Sequence, residues 1–151
     1  MTAIAGTAQT TTTTTKAAKA KAPLATKIGR GISAFVVLFL LFDAVMHLSN
    51  PDFVAQSFQQ QGFPAYAALV TGLLELGCLV LYVIPRTAVL GALFQTAYLG
   101  GAFCANLRVE APMFSTLLFP VYIGILVWAG LYLRNAAVRT ALGVDILAKR
   151  R

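Results

Sequence analysis

The chain reads as an all-α polytopic membrane protein, a bundle of four transmembrane helices with both termini in the cytoplasm. Three observations lead there. Of its 151 residues, 58% are hydrophobic and only 11% are charged, against about 25% charged in an ordinary soluble domain. Apolar segments of membrane-spanning length recur four times after a polar leader. The basic residues gather almost entirely on one side of those segments. Such a composition excludes disorder over most of the chain and argues against a water-soluble fold.

The leader comes first. Residues 1–30 carry an unbroken run from Thr10 to Thr15, then an Ala/Lys stretch, with Lys16, Lys19, Lys21, Lys27 and Arg30 as the only charges. Without large apolar clusters such a segment cannot offset its chain entropy, so the expectation is a disordered basic tail. No apolar stretch of signal-peptide type follows its basic residues before a cleavage site. The spans are then expected at 31–49, 66–84, 87–107 and 116–133. At about 1.5 Å rise per residue each just crosses a hydrocarbon core about 30 Å thick. Helices are the form in which every backbone polar group finds a partner inside the segment, and the period-two alternation of a membrane barrel is missing.

Loop charge sets the orientation. The leader holds five basic residues, the link between spans two and three holds Arg86, and residues 135–151 with the end of span four hold Arg134, Arg139, Lys149, Arg150 and Arg151. Eleven of the twelve Lys and Arg residues thus share one side, with Arg108 alone on the other. The positive-inside rule makes that side the cytoplasm. The net charge of +7 is then explained by topology and contact with anionic lipid, without nucleic acid as a partner.

Connections and punctuation fill in the packing. Pro85-Arg86 leaves almost no linker, so spans two and three are antiparallel neighbours. Ala92, Thr96 and Gly100 recur every four residues and predict a face of close helix approach. Pro120 predicts a kink in span four. Tyr66 and Tyr122 fall toward the outer boundary, and Tyr82, Trp128 and Tyr132 toward the inner one, as aromatic belts do. Beyond Arg134, the residues Val138, Leu142 and Ile146 share one face, the pattern of a short interfacial helix.

Polar residues at membrane depth are the candidates for function, since a charge at the centre of the bilayer costs about 2.5–3.5 kcal/mol on insertion scales. Asp43 lies about 9 Å below the outer end of span one and Glu75 about 14 Å below the same face on span two. His47 follows Asp43 by four residues and shares its helix face. Asn106 and Arg108 close the outer end of span three. The expectation is an outer-half cluster of Asp43, His47, Glu75, Asn106 and Arg108, with Arg108 as counter-ion to the carboxylates. Such a cluster either holds the helices in register by hydrogen bonds or binds a ligand and exchanges protons; the sequence leaves both open. Gln95 is expected to donate a hydrogen bond between helices.

Other chemistry lacks its parts. Cys78 and Cys104 differ in depth by several residues, which argues against a disulfide and for two buried, inert thiols. With one histidine and no CxxC pair there is no metal-ligand motif, and no phosphate-binding glycine loop or catalytic triad spacing occurs.

The stretches LFLLFDAVMHLSNP, GLLELGCLVLYVIPRTAVLGALFQTAYLGGAF and FPVYIGILVWAGLYLR resemble the DoxX-like family of small bacterial membrane proteins, over about residues 31–140. The resemblance implies a four-helix protein of the bacterial inner membrane. It also implies a role as an accessory or quinone-associated subunit of a membrane redox complex, with partners to match: the bilayer, another subunit or further copies of itself. A small proton-coupled transporter acting as an oligomer, with Asp43 and Glu75 along its pathway, is the competing expectation.

Overall fold

A computed structural model describes residues 23–141, and all regular structure among them is helical. The Thr-rich leader up to residue 22 and the tail from residue 142, with Leu142 and Ile146, lie outside the described residues. The elements in order are α1 (Leu24–Ser49), α2 (Asp52–Gln60), α3 (Ala67–Val83), α4 (Ala88–Arg108), a π-helical turn (Met113–Leu117), α5 (Phe119–Arg134) and α6 (Ala136–Ala141). Three stretches are long and apolar enough to cross a membrane: α1, α4 and the run Met113–Arg134. The fourth long helix, α3, is apolar but has 17 residues, about 26 Å at the usual rise.

Local chemistry sets the boundaries. Asn50 takes a left-handed conformation (φ 44°), returns its N–H to the Met46 carbonyl and is followed by Pro51, which together stop α1. Asp52 then sits in the first turn of α2, where its negative charge meets the positive helix end. α3 stops at Ile84, whose backbone is extended ahead of Pro85.

Three expectations change and a fourth is met in part. Helix α1 starts at Leu24, seven residues inside the segment expected to be a tail, because Gly29 lets that first stretch pack tightly on Leu133 and Arg134 of α5. Residues 52–60, expected as loop, form α2. Pro120 does not interrupt a helix: it lies in the first turn of α5, where a missing N–H costs nothing, and the break from regular α-helix falls in the π-helical turn before it. Beyond Arg134 a short helix does form, with Val138 buried against the bundle.

The four long helices pack in a ring, α1 against α3 and α5, and α4 against α3 and α5. Val36, Leu40, Leu79, Ala92, Leu99, Ile123, Val127 and Leu131 fill the centre. Leu38, Leu73, Leu74, Val80, Leu93 and Ile125 stand largely exposed on the outside. Helices that are apolar on both inner and outer faces are those of a bundle surrounded by lipid.

Glycine sets the closest approaches, though not at the expected stripe. A β-carbon on Gly91 would land on the backbone of Tyr82 across the α3–α4 corner, and one on Gly130 would stand 2.6 Å from Ser33 Oγ. Gly100 has nothing within 4 Å of such an atom; with Thr96 it faces an open apolar groove between α4 and α5, and Ala92 alone of the stripe is buried. The aromatic belt also changes. Tyr66 is exposed, but Tyr82 is 1% exposed. Its hydroxyl donates to the Val127 carbonyl at 2.9 Å and pairs with Ser33 Oγ at 3.1 Å. Arg134 lies over the Tyr82 ring at 4.7 Å and donates to the Tyr82 carbonyl at 3.0 Å. A phenol buried among three helices is a clamp, not an interfacial anchor.

Gly91→Ala will therefore destabilise the bundle by about 1–3 kcal/mol, while Gly100→Ala will be neutral or stabilising by up to about 1 kcal/mol. Thermal unfolding of the two variants in one detergent checks this. A loss at Gly91 no larger than at Gly100 would remove the α3–α4 contact as its cause.

Candidate functional site

The site is built where α1 and α3 run side by side near the end of the bundle covered by α2. One helical turn on α1 places Asp43 and His47 on the face toward α3. Gly72 on α3 admits the close contact: a β-carbon there would meet His47 Cβ and the Leu48 side chain at 3.0 Å. One turn further along α3, Glu75 enters the same space and is fully buried. His47 Nδ1 lies 3.4 Å from Glu75 Oε2 and 3.7 Å from Asp43 Oδ2. From α4, the Tyr98 hydroxyl donates to Glu75 Oε2 at 3.2 Å. Glu75 Oε1 is buried with no hydrogen-bond partner.

A cavity of about 440 Å³ opens beside this cluster. Asp43, His47 and Tyr98 line it together with Thr71, Gln61 and Asn106, and Phe39, Phe58, Phe63 and Phe119 supply apolar walls. Glu75 stands behind His47 and Tyr98. Helix α2 and the turn after it close one side. The Phe58 ring meets the imidazole of His47 edge-on, with centroids 5.5 Å apart, and packs on Phe63 at 5.8 Å. The turn needs Gly62, whose φ of 75° suits no β-carbon.

The structure brings together three of the five expected residues and gives the other two different work. Asp43, His47 and Glu75 form one cluster. Asn106 lines the cavity and ties its cover: it accepts from Gln61 Nε2 at 3.2 Å and donates to the Thr116 carbonyl at 3.2 Å. Arg108 is exposed at the end of α4 and lies against Gly62, where a β-carbon would stand 3.1 Å from its Nη2. The ion-pair partner of both carboxylates is His47, not Arg108. The reason is position along α4. Arg108 is the exposed last residue of α4, while Tyr98, the α4 residue that reaches Glu75, lies more than two turns earlier.

Tyr98 was not expected. Its signal was the three-residue step from Gln95 on one face of α4, which becomes informative only once α4 is known to face Glu75. Gln95 is 1% exposed, and its amide oxygen and nitrogen both lack hydrogen-bond partners, so the expected interhelical bond is not formed. Both cysteines are free, and Cys104, expected to be buried, is exposed.

Residues 31–130 match the sequence profile of the DoxX-like family. The chain belongs to the DoxX-like family. No curated protein and no solved structure matches it. The family match and the apolar helices together make this a multi-pass, all-helical membrane protein in contact with the bilayer. Within this DoxX-like protein the cluster and its cover form a chamber that sets polar groups against aromatic walls.

Asn106→Ala will cut both of its ties at a cost of about 1–2 kcal/mol. Amide exchange will quicken around Gln61–Phe63 and Met113–Leu117 while α3 and α5 stay protected. Equal quickening throughout the bundle would remove Asn106 as a local tie.

Proposed function

We propose that this DoxX-like protein is a quinone-associated subunit of a redox complex in the bacterial inner membrane, and that its chamber takes the quinone ring. One observation carries the reading: a cavity inside the bundle pairs four phenylalanine walls with an Asp43–His47–Tyr98 edge. Ligand pockets combine an apolar lining with a few convergent polar groups in this way. A quinone ring offers flat apolar faces and two carbonyl oxygens. The aromatic walls cover the faces, while His47, Gln61 and Asn106 carry N–H groups for the oxygens, and Tyr98, whose O–H is donated to Glu75, shapes the edge beside them. Glu75 acts through His47 and Tyr98, fixing both from behind. The carboxylates and the imidazole are also the groups that would take up or give up protons as a quinone is reduced or reoxidised. The electrons come from another subunit of the complex.

In the topology that accompanies this reading α3 is the fourth span and both termini are cytoplasmic. Arg86, Arg134 and Arg139 then lie on the cytoplasmic side with the basic leader, and the chamber opens in the outer half of the membrane. The 17 residues of α3 cross because the links at either end sit at the membrane boundary and its polar group is turned inward.

The quinone reading is tested by titrating a short-chain ubiquinone analogue into chelator-treated protein and following the fluorescence of the single tryptophan, Trp128. Saturable quenching is expected. His47→Gln will weaken it about tenfold, equivalent to about 1.4 kcal/mol, the scale of one charge-assisted hydrogen bond. Quenching that never saturates, or that is identical in His47→Gln and Tyr98→Phe, overturns the reading. For the topology, a single cysteine at Arg86→Cys in a background of Cys78→Ser and Cys104→Ser will react with an impermeant maleimide only after the cells are opened. One at Ser57→Cys will react from outside.

A further inference from the structure

We propose that Asp43, His47 and Glu75 form a binding site for one divalent transition-metal ion, of the Zn²⁺, Mn²⁺ or Fe²⁺ class. The proposal is independent of what fills the adjoining chamber. Each of the three residues offers one ligand atom, and these atoms all lie within 4.8 Å of one another. Bonds of about 2.0–2.2 Å to nitrogen and oxygen put neighbouring ligand atoms of a tetrahedral ion about 3.3–3.6 Å apart. The separation of His47 Nδ1 from Glu75 Oε2, 3.4 Å, falls at that spacing, that from Asp43 Oδ2, 3.7 Å, lies just above it, and the remaining carboxylate–carboxylate separation is within 4.8 Å. The two from His47 are long for hydrogen bonds.

Two further observations favour a cation. Fully buried Glu75 has an oxygen, Oε1, with no hydrogen-bond partner, and His47 Nδ1 is likewise buried and unpartnered although it faces both carboxylates. Buried polar atoms left this way call for an explanation, an ion among them. Charge gives the second argument. When both carboxylates are ionised they carry two negative charges, and among the described residues the basic group within ion-pair distance, His47, supplies at most a single positive one. A divalent ion bound to both carboxylates and a neutral imidazole brings the site to zero net charge, the state a low-dielectric surrounding favours.

The donor set narrows the metal. Imidazole with two carboxylates and no thiolate suits Zn²⁺, Mn²⁺ or Fe²⁺ better than Mg²⁺ or Ca²⁺, which prefer oxygen alone, or Cu⁺, which prefers sulfur. Three protein ligands leave at least one position to water or a small ligand, on the side where Asp43 and His47 line the chamber. Tyr98, bonded to Glu75 Oε2, is the outer partner that orients a ligating carboxylate. The sequence placed these three residues in one cluster but gave no metal motif, because two are a turn apart on α1 and the third comes from α3, so no local spacing marks them as a ligand set.

The test is a Co²⁺ titration of the full chain, purified in detergent and stripped with a chelator. Visible absorption is followed, and bound metal is counted by elemental analysis. We expect one Co²⁺ per chain, absorption bands of a four- or five-coordinate ion, and displacement by Zn²⁺. His47→Gln and Glu75→Gln will abolish the bands. Tyr98→Phe will weaken binding roughly 10–100-fold, and Cys104→Ser will leave it unchanged. If either of the first two fails to fold, Asp43→Asn, at the most exposed ligand, keeps the test open with a weakening of at least about tenfold. No bands at saturating Co²⁺, or bands that persist undiminished in Asp43→Asn and Tyr98→Phe, overturn the proposal. Because the quinone titration is run on chelator-treated protein, either result can fail without the other.

Discussion

A carboxylate with no access to solvent, set in a helix whose outer face is leucine and valine, is the constraint around which this end of the molecule is arranged. Glu75 cannot reach water, and hydrocarbon offers it nothing. Everything that compensates it must come from neighbouring helices, and the structure supplies an imidazole from α1 and a phenol from α4. The three helices are thereby fixed in mutual rotation: turning α1 by one residue, about 100°, would swing His47 out of reach. Polar residues at membrane depth specify register in this way, whether or not they also do chemistry.

The two ends of the bundle are built on different rules. At the end holding the start of α1, the α3–α4 corner and the close of α5, glycine at positions 29, 91 and 130 lets backbones meet. There Tyr82 joins Ser33 on α1 to the Val127 carbonyl on α5, with Arg134 over its ring. At the other end Gly72 still lets α3 meet α1, but large side chains line the remaining space and a cavity stays open. Phe39, Phe119 and Phe58 keep the helices and the cover apart, and polar groups fill the gap they leave. A bundle cinched at one end and propped at the other can hold a chamber without losing its packing, because dispersion and hydrogen bonding at the cinched end carry the helix contacts.

What the sequence revealed and concealed follows from the range of the forces involved. Apolar runs and their termini are local, so apart from the start of α1 the long helices were legible to within about three residues, and Pro85-Arg86 gave the α3–α4 pairing outright. The Asp43–His47 pair was legible because helical periodicity alone places it. Glu75 joined it because depth can be counted along a helix. Helix rotation cannot be counted. Arg108 was matched to the carboxylates by charge, yet its position at the last turn of α4 leaves it exposed against Gly62. Tyr98 and Tyr82 were invisible for the same reason: a phenol reads alike whether it faces lipid, headgroups or a partner. The stripe Ala92–Thr96–Gly100 had the right spacing on the wrong face, while Gly91, one position away, makes the contact. Helix α2 was missed because nine residues with few aliphatics resemble a loop until Val54 and Phe58 are seen to pack beneath it.

Helix α2 also bears on how anything enters the chamber. Its side of the cavity is held by buried Val54, by an aromatic contact to His47 and by the bonds of Asn106 to Gln61 and the Thr116 carbonyl, while the opposite walls belong to helices of the core. A short helix tied by a few polar contacts opens at far lower cost than a long one buried along its length. Asn106 therefore links the cover over α1 and α3 to the π-helical turn before α5, and loosening one loosens the other. Phe58 sits on the imidazole itself, so displacement of the cover exposes the group that pairs with both carboxylates. Access to the chamber and the environment of its charged centre are coupled through a single side chain, which makes α2 part of the site rather than a connection beside it.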